Sequence, residues 1–145
     1  MFYRCKHFRV EELVPPRVFN RWGIQSWWFI DQELCQTIDE IRELFGTPIT
    51  INNWLWGGNF SQSGYRDDSS EYYNEFSAHS FGKAADMKIR NIQSDVAIQM
   101  IIDWKKEGKL KYLTRIELAT DGWVHVDVFN AKPNDTNKNL YVFYP

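Results

Sequence analysis

His79, Asp86 and His125 are the residues of this chain best suited by type and spacing to do chemistry together. The aspartate follows the first histidine by seven positions, and the second histidine lies 39 positions further on. Two imidazoles and one carboxylate are a common ligand set for a catalytic zinc, with a fourth position left open for water. Gly82, three residues after His79, supplies a bend that needs a residue free to take positive φ. The chain then straightens into a strand that carries Asp86, so the bend folds His79 back beside that carboxylate. In the later segment side chains alternate, so that Trp123, His125 and Asp127 face one way while Val124, Val126 and Val128 face the other. The valines read as core. A face that carries His125 and Asp127 together calls for a polar or ionic partner.

These residues must be held by elements that the pattern also predicts. Leu34, Ile38, Ile41 and Phe45 fall on one side of a helix running from about Asp31 to Phe45, with Asp31 as cap and Gly46 as stop. A short strand is expected at Ile49-Thr50-Ile51-Asn52 and another from Ala84 to Arg90. Ser94 begins a second helix with Ala97, Met100, Ile101 and Trp104 on one side, ended by Gly108. Strands at Leu113 to Ala119 and Trp123 to Phe129 flank a turn at Thr120-Asp121-Gly122. A polar stretch from Asn130 to Asn139 precedes a last apolar run, Leu140 to Tyr144. Residues 53–76 form a long loop rich in glycine and aromatics, the kind of segment that in compact domains tends to carry function. Residues 1–30 read as an irregular arm fastened by Phe8, Val10, Leu13 and Val14. The sum is one α+β domain over residues 1–145, a small, mainly antiparallel sheet packed with two principal helices.

Composition narrows the choice of function. A net charge of -2 argues against a nucleic-acid binder that relies on a basic face. No apolar run is long enough to span a bilayer, so membrane insertion is not expected. The first residues carry no signal-peptide apolar region, so no export signal is expected. Cys5 and Cys35 lack metal-type spacing and read as free thiols. Seven tryptophans exceed the usual need of a core this size, and some are expected to line a groove. His7 reads as structural or surface.

The block Ser77, His79, Gly82, Ala84, Asp86, followed by a strand bearing His125 and Asp127, resembles the zinc D-Ala-D-Ala carboxypeptidase family. That family includes phage endolysin peptidases that cut L-Ala-D-Glu bonds, and it shares its fold with the Hedgehog signalling domain. Gly64-Tyr65-Arg66 is similar to the family's segment ahead of the first ligand, and Phe8 to Leu13 to its opening segment. With Ile51-Asn52-Asn53-Trp54 and Gly57-Gly58 the pattern resembles small phage-borne members. The resemblance implies a Hedgehog/DD-peptidase fold, zinc held by His79, Asp86 and His125, and hydrolysis of peptidoglycan stem peptides by metal-activated water. It implies for Arg66 a grip on a substrate carboxylate or on developing oxyanion charge. Ser77 would be a substrate-side or loop-shaping donor. A monomer is expected, made in the cytoplasm and acting on the cell wall after release or delivery, from a phage source if the small members are the guide.

A general base must also be found. The better-known members place a carboxylate three residues before the second histidine, where this chain has Gly122. Asp121 and Asp127 are the first two candidates, and Glu117 on the partner strand is the third. The missing carboxylate keeps a second hypothesis open, a non-catalytic, metal-stabilised cell-wall-binding or virion module of the same fold. A third, a sugar binder using exposed tryptophans, leaves the histidine–aspartate pattern unexplained. Carboxypeptidase and endopeptidase action are equally compatible with the residues.

Overall fold

The computed structural model describes residues 3–130 and 140–145. The polar stretch before the last apolar run therefore lies, from residue 131 to 139, outside the described residues. The chain is α+β. Helix α1 spans Pro16–Trp22, α2 Gln32–Phe45 and α3 Ser94–Lys106, with strands β1 Ile49–Thr50, β2 Ala84–Ile89, β3 Arg115–Glu117, β4 Val124–Asp127 and β5 Tyr141–Phe143. The sheet order is β1-β2-β4-β3-β5. All pairings are antiparallel except β3 with β5, which is parallel.

Local chemistry accounts for these elements. Asp31 caps α2 by accepting from the amides of Glu33 and Leu34, and Gly46 ends it in the left-handed conformation. The α2 stripe packs as its spacing predicts, with Leu34, Ile38 and Ile41 buried and Phe45 edge-on to Trp104. In α3 the buried face is Ala97, Ile98, Ile101 and Ile102. It is turned from the expected face, because the β-branched isoleucines fit the sheet while Met100 and Trp104 lie at its margin. Ser94 is the first residue of α3, as expected, with Gln93 at the cap position, and its hydroxyl donates to the Thr120 carbonyl.

The N-terminal arm is more regular than expected. Pro16 opens α1 at the position where a missing N–H costs nothing, and 3-10 turns flank the helix at Val10–Glu12 and Gly23–Phe29. Phe8, Val10, Leu13 and Val14 are buried, as their apolar pattern requires.

The sheet has two distinct faces. Ala85, Met87 and Ile89 of β2, Val124 and Val126 of β4 and Ile116 of β3 join the core with α2 and α3. On the other face three cross-strand rows follow from the register. Ala84, Asp127, Arg115 and Tyr141 form the first, and Asp86 opposite His125 begins the second. Continuing the same pairing sets Glu117 beside His125, with Phe143 beyond it on β5. In the third row Lys88 faces Thr50 on β1, and the β2–β4 pairing continued by one residue sets Trp123 on its other side. Residues 53–76 run over this face.

Candidate metal centre

His79 sits in a 3-10 turn, Ala78–Phe81, whose start Ser77 caps by accepting from the His79 amide. Ser77 is thus a loop-shaping residue. Gly82 ends the turn at φ +68°, and a Cβ there would lie 1.8 Å from the Phe29 carbonyl oxygen. That carbonyl is backbone and cannot step aside, so only glycine fits both the conformation and the space. The Gly82 carbonyl accepts from the Asp31 amide, and Lys83 pairs with the Asp31 carboxylate at 2.7 Å. The start of α2 thereby fixes the bend that returns His79 to Asp86.

The histidine rings are oriented from behind. His79 Nδ1 donates to the Gly64 carbonyl at 2.8 Å, which leaves Nε2 facing Asp86 Oδ1 at 3.3 Å. His125 Nε2 donates to Asp127 Oδ2 at 2.8 Å, which leaves Nδ1 facing the same Asp86 oxygen at 2.9 Å. One donor atom from each of the three residues lies within 4.8 Å of the others, and both histidines are buried. Two imidazoles with their far nitrogens tied and their near nitrogens converging on one carboxylate oxygen fit a divalent cation well. These three residues could hold a metal ion.

The Gly64-Tyr65-Arg66 segment serves as backing. A Cβ on Gly64 would lie 2.3 Å from the Leu13 carbonyl oxygen. The Tyr65 amide donates to that same oxygen, and the Arg66 amide to the His79 carbonyl. Arg66 pairs through Nη2 with Asp86 Oδ2 at 3.1 Å rather than with Asp67 or Asp68, which lie near Arg17. Its side chain also borders a cleft of 510 Å³ that Tyr72 and Trp123 help to line.

The three candidate bases are placed very differently. Asp127 is fully buried, and both its oxygens are taken by Arg115, with the Phe129 amide and His125 Nε2 as further donors. It lies on the far edge of the His125 ring from Asp86, so it orients the imidazole, and the expectation of a base there is replaced by that role. Asp121 is exposed and borders a 380 Å³ cleft together with Asp86 and Trp123. Glu117 is half-buried beside His125 in the second row, close enough to Arg66 for its charge to bear on that guanidinium. Lys88 also borders the 380 Å³ cleft, a residue the sequence reading passed over. Its signal was visible: alternation in β2 turns Lys88 to the same side as Asp86. His7 is exposed and pairs with Glu43 at 3.0 Å. Cys5 and Cys35 are free thiols.

The electrostatics are those of a tight ion cluster. Burial would raise the Asp86 carboxyl, but hydrogen bonds from His125 and His79 outweigh it and hold Asp86 well below the usual carboxylate range. Burial would lower His125, but Asp127 and Asp86 outweigh it and raise the imidazole to about 9. Burial lowers Lys88 to about 8.

Two predictions follow from this orientation. An Asp127→Asn substitution keeps the shape but weakens the anchor behind His125, and affinity for a divalent cation is expected to fall about 10- to 100-fold in a chelator competition assay. The second concerns protons. In the metal-free protein the His125 value of about 9 stands above the ordinary 6.5. The stabilisation from its imidazolium is then full below about 6.5 and lost as pH rises through about 9. Affinity for a divalent cation runs the opposite way, because the ion must displace the Nδ1 proton. Calorimetry in buffers of different ionisation enthalpy should show at least one proton released per bound ion at pH 7, with the His125 share of that release lost above about pH 9. No release at pH 7 would remove His125 from the ligand set.

Comparison with protein-family models, with curated proteins and with solved structures finds no match for this chain. Among the described residues no helix is long and apolar enough to cross a membrane.

Proposed function

We propose that this protein is a zinc-dependent peptidase that hydrolyses peptide bonds in the stem peptides of bacterial peptidoglycan, on a Hedgehog/DD-peptidase type of fold. The observation that carries the reading is the convergence of His79 Nε2, His125 Nδ1 and Asp86 Oδ1, with both imidazoles anchored from behind. Zinc bound there would polarise a carbonyl and lower the pKa of a water toward roughly 7.

The chain's own residues supply the rest. Glu117, beside His125 on the site face, is the best placed to take a proton and pass it to the leaving amine. Asp121, on the rim of the cleft, is the alternative acceptor. Arg66 fixes the outer oxygen of Asp86 and borders the groove in which a peptide would lie. Phe60, Tyr72 and Trp123 give that groove partly exposed aromatic walls, suited to the small apolar side chains of stem peptides.

The test is mass spectrometry of purified muropeptides after incubation with the zinc-loaded protein. New amino and carboxyl termini at one stem-peptide bond are the expected result. One observation favours a non-catalytic module instead, namely Gly122 where a carboxylate would stand. One bound zinc per chain with no new termini from any muropeptide would favour that module.

A further inference from the structure

Among the described residues, three lysine and arginine side chains on or beside the site face are already neutralised. Arg66 pairs with Asp86, Arg115 with Asp127 and Lys83 with Asp31. Lys88 differs. Its ammonium donates to the Ile51 carbonyl at 2.9 Å and to Ser63 Oγ at 2.7 Å, both neutral, and no carboxylate lies within ion-pair distance of it among the described residues. The charges that act on it are Asp86 and Arg66, which pair with each other. A half-buried cation with only neutral acceptors is costly to keep, and the cost falls when an anion arrives.

The surroundings of Lys88 are built to hold it in place. Ser63 Oγ accepts its hydrogen bond while the Ser63 amide donates to buried Asn52 and the Ser63 carbonyl accepts from the Asp86 amide. Asn52 in turn donates to the Val14 carbonyl. The Phe60 ring lies 3.9 Å from the ammonium, and the Phe60 backbone is pinned to Asn53. With Trp123 the group borders the 380 Å³ cleft that reaches Asp86. Asp121 stands on the same rim but is exposed, so water screens its charge.

We infer that Lys88, walled by Phe60 and Trp123, is the subsite for a free α-carboxylate on the residue whose nitrogen leaves. The inference rests on the peptidase reading and deepens it. Lys88 is rooted two residues beyond Asp86 on the same strand face, about 7 Å away. A carboxylate three bonds beyond a scissile carbonyl placed at the histidine–aspartate cluster falls within reach of a flexible lysine chain. In peptidoglycan stems that chemistry has two sources. A terminal D-alanine carries it, and so does a D-glutamate joined onward through its γ-carboxyl, whose α-carboxyl is left free. The same subsite therefore serves either bond.

The test compares acids with amides. Acetyl-D-Ala-D-Ala is titrated against its C-terminal carboxamide, and acetyl-L-Ala-γ-D-Glu-L-Lys against the form with D-isoglutamine in the glutamate position. Full-length protein is used both zinc-saturated and chelator-treated, the latter so that binding is read without turnover. At least one acid is expected to bind about 10- to 100-fold tighter than its amide, as a charged hydrogen bond predicts. Whichever pair shows the larger ratio identifies the source. In Lys88→Met that ratio should approach one, and Lys88→Arg should keep most of it. Equal binding of acid and amide in both pairs by the wild-type protein overturns the subsite, whatever the variants do. A ratio preserved in Lys88→Met overturns it too. Discrimination through Lys88 without cleavage of any peptide would leave the subsite standing and sink the peptidase reading. Cleavage of acids and amides alike would do the reverse.

Discussion

Replacing His79 by alanine is expected to reduce bound zinc to background by metal analysis and to abolish release of muropeptide fragments. The side chain would supply one of three ligand atoms, and the remaining pair cannot complete a tetrahedral site. The variant should remain folded, though less stable. The Gly64 carbonyl loses its donor, a cost of about 1–3 kcal/mol for a buried acceptor left unpaired. A thermal melt separates the two effects. Fragment release at the wild-type rate from a folded, zinc-free His79→Ala protein would end the metallopeptidase reading.

Exchanging Glu117 for glutamine has the next largest expected effect, and it divides the remaining candidates. Glutamine keeps the size of the side chain and removes its basicity. Turnover should fall about 10²- to 10⁴-fold if Glu117 carries the proton, while zinc content and melting temperature stay near wild type. Asp121→Asn should cost less than about tenfold on the same assay, since Asp121 sits on the solvent rim of the cleft. The opposite ranking would move the base to the turn. Asp127→Asn must be kept apart from both, because its effect enters through zinc affinity rather than through proton transfer.

The local pattern makes the face that gathers His79, Asp86 and His125 legible in the sequence. Gly82 predicted the bend, the valines of β4 predicted which side was core, and alternation put His125 and Asp127 together. The bend, the buried valines and the shared face of His125 and Asp127 are all present in the fold. Pairing was legible only in part. The turn at Thr120-Asp121-Gly122 implies that β3 lies beside β4, as it does, but no periodicity within a three-residue strand reveals the register that sets Glu117 beside His125. Asp127 faced the right way but turned out to be enclosed by Arg115, a partner twelve positions away that only the strand pairing brings near. The same holds for Lys88, whose neutral hydrogen-bond partners come from residues 51 and 63 on separate segments. The N-terminal arm is helical where its sequence reads as irregular, because Pro16 stands at the first position of a helix, the one place in a helix that tolerates proline.

The alignment of β2 against β4 also guards the fold against mispairing. Sliding one strand past the other by a single residue would turn its ligand carboxylate or imidazole into the apolar layer and bring core residues out. Sliding by two keeps the faces but, in one direction, sets Asp86 against Asp127, two like charges directly opposite. In the other direction Asp86 meets Trp123 instead of an imidazole. Both errors forfeit the ion pairing that the correct alignment supplies. The polar rungs thus favour one alignment in assembly, whatever ion they hold, and variants at these positions belong in refolding assays as much as in turnover assays.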